Sequence, residues 1–141
     1  METSRRIGLL AAFPILILAA SAGTALSATI DPALLGAWTP STAECSRLFE
    51  RTGRGLSFKQ PVDKFAQAVI IRPGEVEGPS SVCRVLKVTR VKGVISAATE
   101  CRDTVGYLPL DITIKVQSAR EIVYNADGGE ALNVTYLKCP M

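Results

Sequence analysis

Leu110–Gln117 reads LDITIKVQ: Leu110, Ile112, Ile114 and Val116 alternate with Asp111, Thr113, Lys115 and Gln117. Successive side chains of a strand point to opposite faces, so this period of two predicts a half-buried strand with one wet face. Further strands are predicted at Ala66–Arg72, Val82–Val91, Val94–Cys101, Arg120–Asn125 and Ala131–Lys138, with a short one around Trp38. Lys92-Gly93 closes a hairpin, Ser118-Ala119 is a tight connection, and Asp127-Gly128 is a strong hairpin-turn pair. Consecutive antiparallel strands follow. The expected fold is mainly β, a small antiparallel meander of six or seven strands closed or nearly closed into a barrel or sandwich.

The helical content is small. Asp31-Pro32-Ala33-Leu34-Leu35 places a capping residue before a proline preorganised for the first helical position, so it predicts one turn ending at Gly36. Ser41 and Glu44 match a capping box, Cys45, Leu48 and Phe49 fall at helical spacing, and Gly53 and Gly55 supply a stop. These predict one short N-terminal helix over Thr42–Thr52, laid across one opening of the sheet.

Upstream of this domain, Arg5 and Arg6 precede an uncharged apolar run from Ile7 to Ala20, and small residues fill Ser21–Ala28. That is the composition of a signal peptide, residues 1–27, with cleavage between 25 and 28 and a single domain over 28–141. Ser4–Leu9 also approaches a twin-arginine export signal, although general secretion is the default route. The chain holds 16 basic and 13 acidic side chains; without Arg5, Arg6 and Glu2 these become 14 and 12, a net charge of +2. So balanced a domain has no nucleic-acid footprint, and with residues 1–27 removed no stable membrane span is expected.

Cys45, Cys83, Cys101 and Cys139 form an even set in an exported chain, the signature of a disulfide framework in a periplasmic or secreted protein. Four cysteines allow three pairings. A hairpin turning at Lys92-Gly93 sets Cys83 opposite Cys101, which leaves Cys45 on the helix for Cys139 at the end of the last strand. No C-x-x-C spacing and no histidine occur in the chain, so neither a zinc site nor a histidine-based catalytic pair is expected, and no metal or cofactor is assigned.

Gly36-Ala37-Trp38 resembles the Gly-x-Trp signature that opens the first strand of lipocalin-like barrels. Apart from the resemblance, Trp38 reads as a core plug; lipocalin-like barrels place an arginine from near the last strand over the tryptophan, and here the basic residue near that end is Lys138. The wider layout, with Tyr136-x-x-Cys139-Pro140 at the end, is similar to small disulfide-containing exported proteins of Gram-negative bacteria.

Two functional readings follow. The first is a non-enzymatic binding domain, a protein inhibitor or envelope-associated accessory factor, whose partner is a protein or an anionic envelope polymer. Its candidate patch joins Arg84, Arg90 and Lys92, which share one alternating set, to Arg47, Arg51 and Arg54 on the polar side of the helix. The second is a carboxylate-dependent hydrolase, or a subunit of a periplasmic enzyme, using pairs such as Glu75/Glu77 or Glu100/Asp103. Asn125–Glu130 lacks the ligand spacing of a calcium loop and reads as a glycine-rich turn, and the sequon Asn133-Val134-Thr135 falls inside a predicted strand.

Overall fold

The alternation over Leu110–Gln117 is realised at its centre, while Val116 is left exposed. Ile112 and Ile114 are fully buried while Asp111 and Lys115 face outward. The computed structural model describes residues 28–126 and 132–141. The expected signal peptide and the Asp127-Gly128 turn lie outside the described residues.

The described residues form ten strands: β1 Gly36–Thr39, β2 Phe49–Thr52, β3 Gly55–Phe58, β4 Val69–Arg72, β5 Glu75–Glu77, β6 Val82–Val91, β7 Val94–Arg102, β8 Tyr107–Ser118, β9 Glu121–Asn125 and β10 Val134–Lys138. Eight close into an antiparallel barrel in the order β1-β10-β9-β8-β7-β6-β5-β4, with β1 paired to both β4 and β10. The expected meander is thus closed, a barrel and not a sandwich. Strand β5 is the eighth member. Glu75-Val76-Glu77 is too short and too charged to announce itself, yet Val76 points into the core opposite Cys83.

The β6–β7 hairpin turns on Lys92 (φ 49°) and Gly93 (φ 77°), two left-handed residues whose twist matches that of the flanking strands. From that turn alone Cys83 would face Arg102; the shift between Val85 and Lys87 brings Cys101 opposite it, and the pair is bonded with its Cα atoms 3.8 Å apart. The register shifts once, between Val85 and Lys87. An extra residue on one strand reverses the faces beyond it. The Ser118-Ala119 connection also forms, as a turn centred on Ala119 and Arg120.

The predicted helix is cut short. Thr42–Glu44 is a 3-10 turn and Cys45–Leu48 is a single helical turn, α1, after which the chain extends into β2 and returns through β3. The capping box does not assemble: Ser41 makes no side-chain cap bond, and the Glu44 carboxylate instead accepts from Arg47. Phe49 and Phe58 lie opposite one another with ring centroids 5.1 Å apart, and Gly55 adopts φ 108° at the hairpin turn. Cross-strand packing of two aromatic rings outweighs a weak helical preference.

Nor does α1 lie across an opening. Cys45, Leu48, Phe49 and Phe58 pack with Ala37, Ala68, Ile70 and Cys139, forming a second core on the outer face of β1 and β4. The Cys45–Cys139 bond, with Cα atoms 5.6 Å apart, fastens this outer layer to the chain beyond β10. The opening is closed by the predicted Asp31–Leu35 turn. Asp31 Oδ1 accepts from the Ala33 amide at 2.9 Å, and Pro32–Leu34 forms a 3-10 turn that inserts Leu34 beside the buried Ile30.

Trp38 stands on this floor with no exposed surface. Its indole N–H donates to Leu34 O at 2.8 Å. The Lys138 ammonium sits 5.4 Å from the ring centroid and donates to Ala33 O at 2.9 Å. Gly36 permits that approach: its φ is 132°, and a Cβ there would stand 3.3 Å from the Lys138 stem.

Two predictions follow from this layout. The Cys45–Cys139 bond joins residues 94 apart and Cys83–Cys101 residues 18 apart. Loop-closure entropy then makes the longer bond worth nearly 5 kcal/mol, against about 3 kcal/mol for the shorter. Urea unfolding of the Cys45→Ala/Cys139→Ala and Cys83→Ala/Cys101→Ala proteins should show the larger loss for the first; the reverse order would refute the entropic account.

The second concerns Asp31, whose carboxyl is held below its ordinary value of 3.8 by the Ala33 amide and, secondarily, by Arg90. A depressed folded pKa stabilises the fold above the unfolded value, and that contribution is lost as pH falls through the folded one. Thermal midpoints measured from neutral pH downward should fall more steeply below 3.8 for the native chain than for Asp31→Asn.

Candidate functional site

The barrel interior is occupied by the protein's own side chains. Trp38, Val69, Ile71, Ile95, Ile112, Ile114 and Ile122 meet from all sides of the wall. Toward the end opposite the floor, Tyr124 and Tyr136 lie 5.5 Å apart, and burial raises the Tyr136 phenol above its ordinary value. Side chains able to meet a partner therefore lie on the outer surface.

The six basic residues expected to form a patch are dispersed. Arg84 pairs in register with Glu100, which lies between buried Thr99 and Cys101, so both side chains point outward; their charged groups are 3.5 Å apart. Arg90 pairs with Ile95, a core residue, and so belongs to the inward phase. The register shift near Leu86 separates two arginines that equal sequence parity would have placed together. Arg90 emerges beyond the barrel floor, where it binds Asp31 at 2.9 Å.

Lys92 occupies the β6–β7 turn. Arg47 on α1 binds Glu44 and lies 3.7 Å from Asp63. Arg51 and Arg54 are carried outside the barrel by the β2–β3 hairpin, where the Arg54 amide donates to Thr52 Oγ1 at 3.3 Å. Among the described residues, Arg47, Arg84 and Arg90 are thus ion-paired within the chain.

The carboxylates are similarly engaged. Arg72 reaches from β4 to Glu75 at 3.2 Å and to Glu77, and donates to Leu56 O at 2.8 Å, tying the β2–β3 hairpin to the barrel wall. Glu75 and Glu100 flank Arg84 on neighbouring strands. With Val82, Arg102 and Tyr107 they line an open groove of about 430 Å³ across β5–β8.

Beside this groove stands a feature that sequence reasoning missed. The β7–β8 connection is a tight tip in which Asp103 Oδ1 accepts from the amides of Val105 at 2.7 Å and Gly106 at 2.9 Å, while the Asp103 amide donates to Gly106 O. These bonds, led by that from Gly106, lower the Asp103 pKa below the ordinary aspartate value. The turn projects Val105, 93% exposed, and is followed by Tyr107 at 71% and Leu108 at 56%. The Cys83–Cys101 bond lies directly at its base. The legible signal was Asp103 three residues before Gly106, an Asx-turn pattern; nothing in the sequence marked the residues after it as uncovered.

Chemically, the tip is an apolar knob held in shape by Asp103, and Tyr107 and Arg102 beside it are of the types enriched at the centres of protein interfaces. No protein-family model, curated protein or solved structure matches this chain.

Proposed function

We propose that the chain is an exported, non-enzymatic binding domain, a protein inhibitor or envelope-associated accessory factor, and that its partner is a protein gripped by the β7–β8 tip. The observation that carries this reading is the exposure of Val105, Tyr107 and Leu108 on a turn held rigid by Asp103, on a barrel whose interior is filled. A knob already fixed in shape loses little entropy when it enters a pocket. Burying Val105 and Leu108 would contribute roughly 1.5–3 kcal/mol each. Both disulfides are formed, a state that persists in oxidising compartments, which accords with export to the periplasm or beyond.

Two rivals have less support. An anionic polymer needs a concentrated field of cations, whereas Arg47, Arg84 and Arg90 are committed to carboxylates of the same chain. A carboxylate hydrolase needs a pair free to hold and move a proton, whereas Glu75 is bound by Arg72, Glu100 by Arg84, and Asp103 by its own turn.

Expression in a Gram-negative host should yield a soluble envelope product whose mass places the N-terminus between Leu26 and Thr29. Retention of residues 1–25 in the membrane fraction would overturn export. A photo-crosslinking side chain at position 105 should trap an envelope protein in living cells, and the same group at position 115 should not. Equal trapping at both positions, or none at 105, would refute the tip as the binding element.

A further inference from the structure

Among the described residues, the barrel wall is covered at β1 and β4. Helix α1 and the β2–β3 hairpin shield β1 and β4, whereas the outer face of β5–β8 stays open. Its charges form a checkerboard: one register row runs Glu75, Arg84, Glu100 across three strands, and Arg102 lies in the next row between Val82 and Tyr107. With Arg72 and Glu77 added, three arginines face three glutamates, so the patch is neutral on a chain of net charge +3. Arg102 differs from Arg72 and Arg84 in having no carboxylate partner among the described residues.

We infer that this wall is the contact surface between two copies of the chain. An interface about a two-fold axis brings the same patch against itself, so each cation of one copy needs an anion of the same patch on the other. A neutral checkerboard meets that condition. A strongly acidic partner would face the three glutamates, and a strongly basic one the three arginines, so neither fits as well as the same surface repeated. The groove leaves room for the unpartnered Arg102 guanidinium of one copy to reach the glutamate at position 75 of the other, with Tyr107, 71% exposed, covering the pair from water. Because the barrel is closed at β1, its wall offers association face to face and not edge to edge. The surface shares Arg102 and Tyr107 with the base of the hairpin tip but not Val105, so crosslinking at position 105 and charge pairing between positions 102 and 75 fail independently.

Sedimentation equilibrium of the purified mature protein, with both disulfides confirmed by mass, tests the inference. The protein should dimerise with rising concentration and dissociate as salt is raised from about 50 mM to about 500 mM. Arg102→Glu and Glu75→Arg should each weaken the dimer roughly tenfold or more, and an equimolar mixture of the two variants should recover it, because the reversed charges then meet across the interface. Arg120→Glu, on the β8–β9 turn, should leave the association constant unchanged. A monomer at every concentration, a dimer indifferent to Arg102→Glu, or no recovery in the mixture would each overturn the proposal; circular dichroism of each variant identifies any loss that comes from misfolding, and a variant that misfolds is replaced by Arg102→Gln or Glu75→Gln, read against the same outcomes.

Discussion

Everything in this architecture depends on β1 finding two partners at once. Four residues, Gly36–Thr39, pair with β4 on one side and β10 on the other, and without them the remaining strands would be an open sheet with two edges. So short a strand cannot hold this place by backbone bonds alone. It is anchored by Trp38, whose ring fills the barrel floor while its N–H is satisfied by Leu34 O, and by Lys138, whose ammonium bridges the ring to Ala33 O. A buried indole without an acceptor would leave a costly unpaired donor. The turn at Pro32–Leu34 is thus both lid and hydrogen-bond partner, and the Asp31–Arg90 pair ties it to the protruding end of β6.

How much of this was legible depended on how local the determinant was. Leu110–Gln117 and Lys92-Gly93 carry their instructions within a few residues, so the strand and the hairpin could be read directly, and the Cys83–Cys101 register to within one residue. The second disulfide followed by elimination. The β2–β3 hairpin was illegible because Thr42–Thr52 satisfies a helical pattern; only contact between Phe49 and Phe58, and with Ala37 and Ile70 of distant strands, tips that segment to strand. Strand β5 was missed for a related reason: three residues gain their identity from the neighbours they join.

The placement of the candidate binding groups was less legible than the fold, and the register shift beside Leu86 shows why. Counting by twos from Arg84 to Arg90 assumes an unbroken ladder, but one extra residue reverses every face beyond it. Nothing in Val-Leu-Lys announces that insertion. The exposure of Val105 and Tyr107 was hidden for another reason. A hydrophobic residue near a predicted strand is assigned to the core by default, and only the closed barrel shows that β7 and β8 carry these residues beyond the packed interior.

The same geometry bears on the role proposed for the tip, because the barrel interior is filled and the tip is fixed. Filling the interior with branched aliphatic side chains makes the wall stiff, because each is held in a close-packed environment. Stiffness then passes outward. Cys101 is fixed by its bond to Cys83, Thr99 two residues earlier donates to Leu110 O at 2.7 Å, and Asp103 locks the turn that follows. A residue such as Val105 is therefore almost wholly exposed and yet anchored on both sides within four residues. Exposed apolar surface on a mobile loop could retract; on this hairpin the backbone bonds of Asp103 leave the side chain facing water until another surface displaces it.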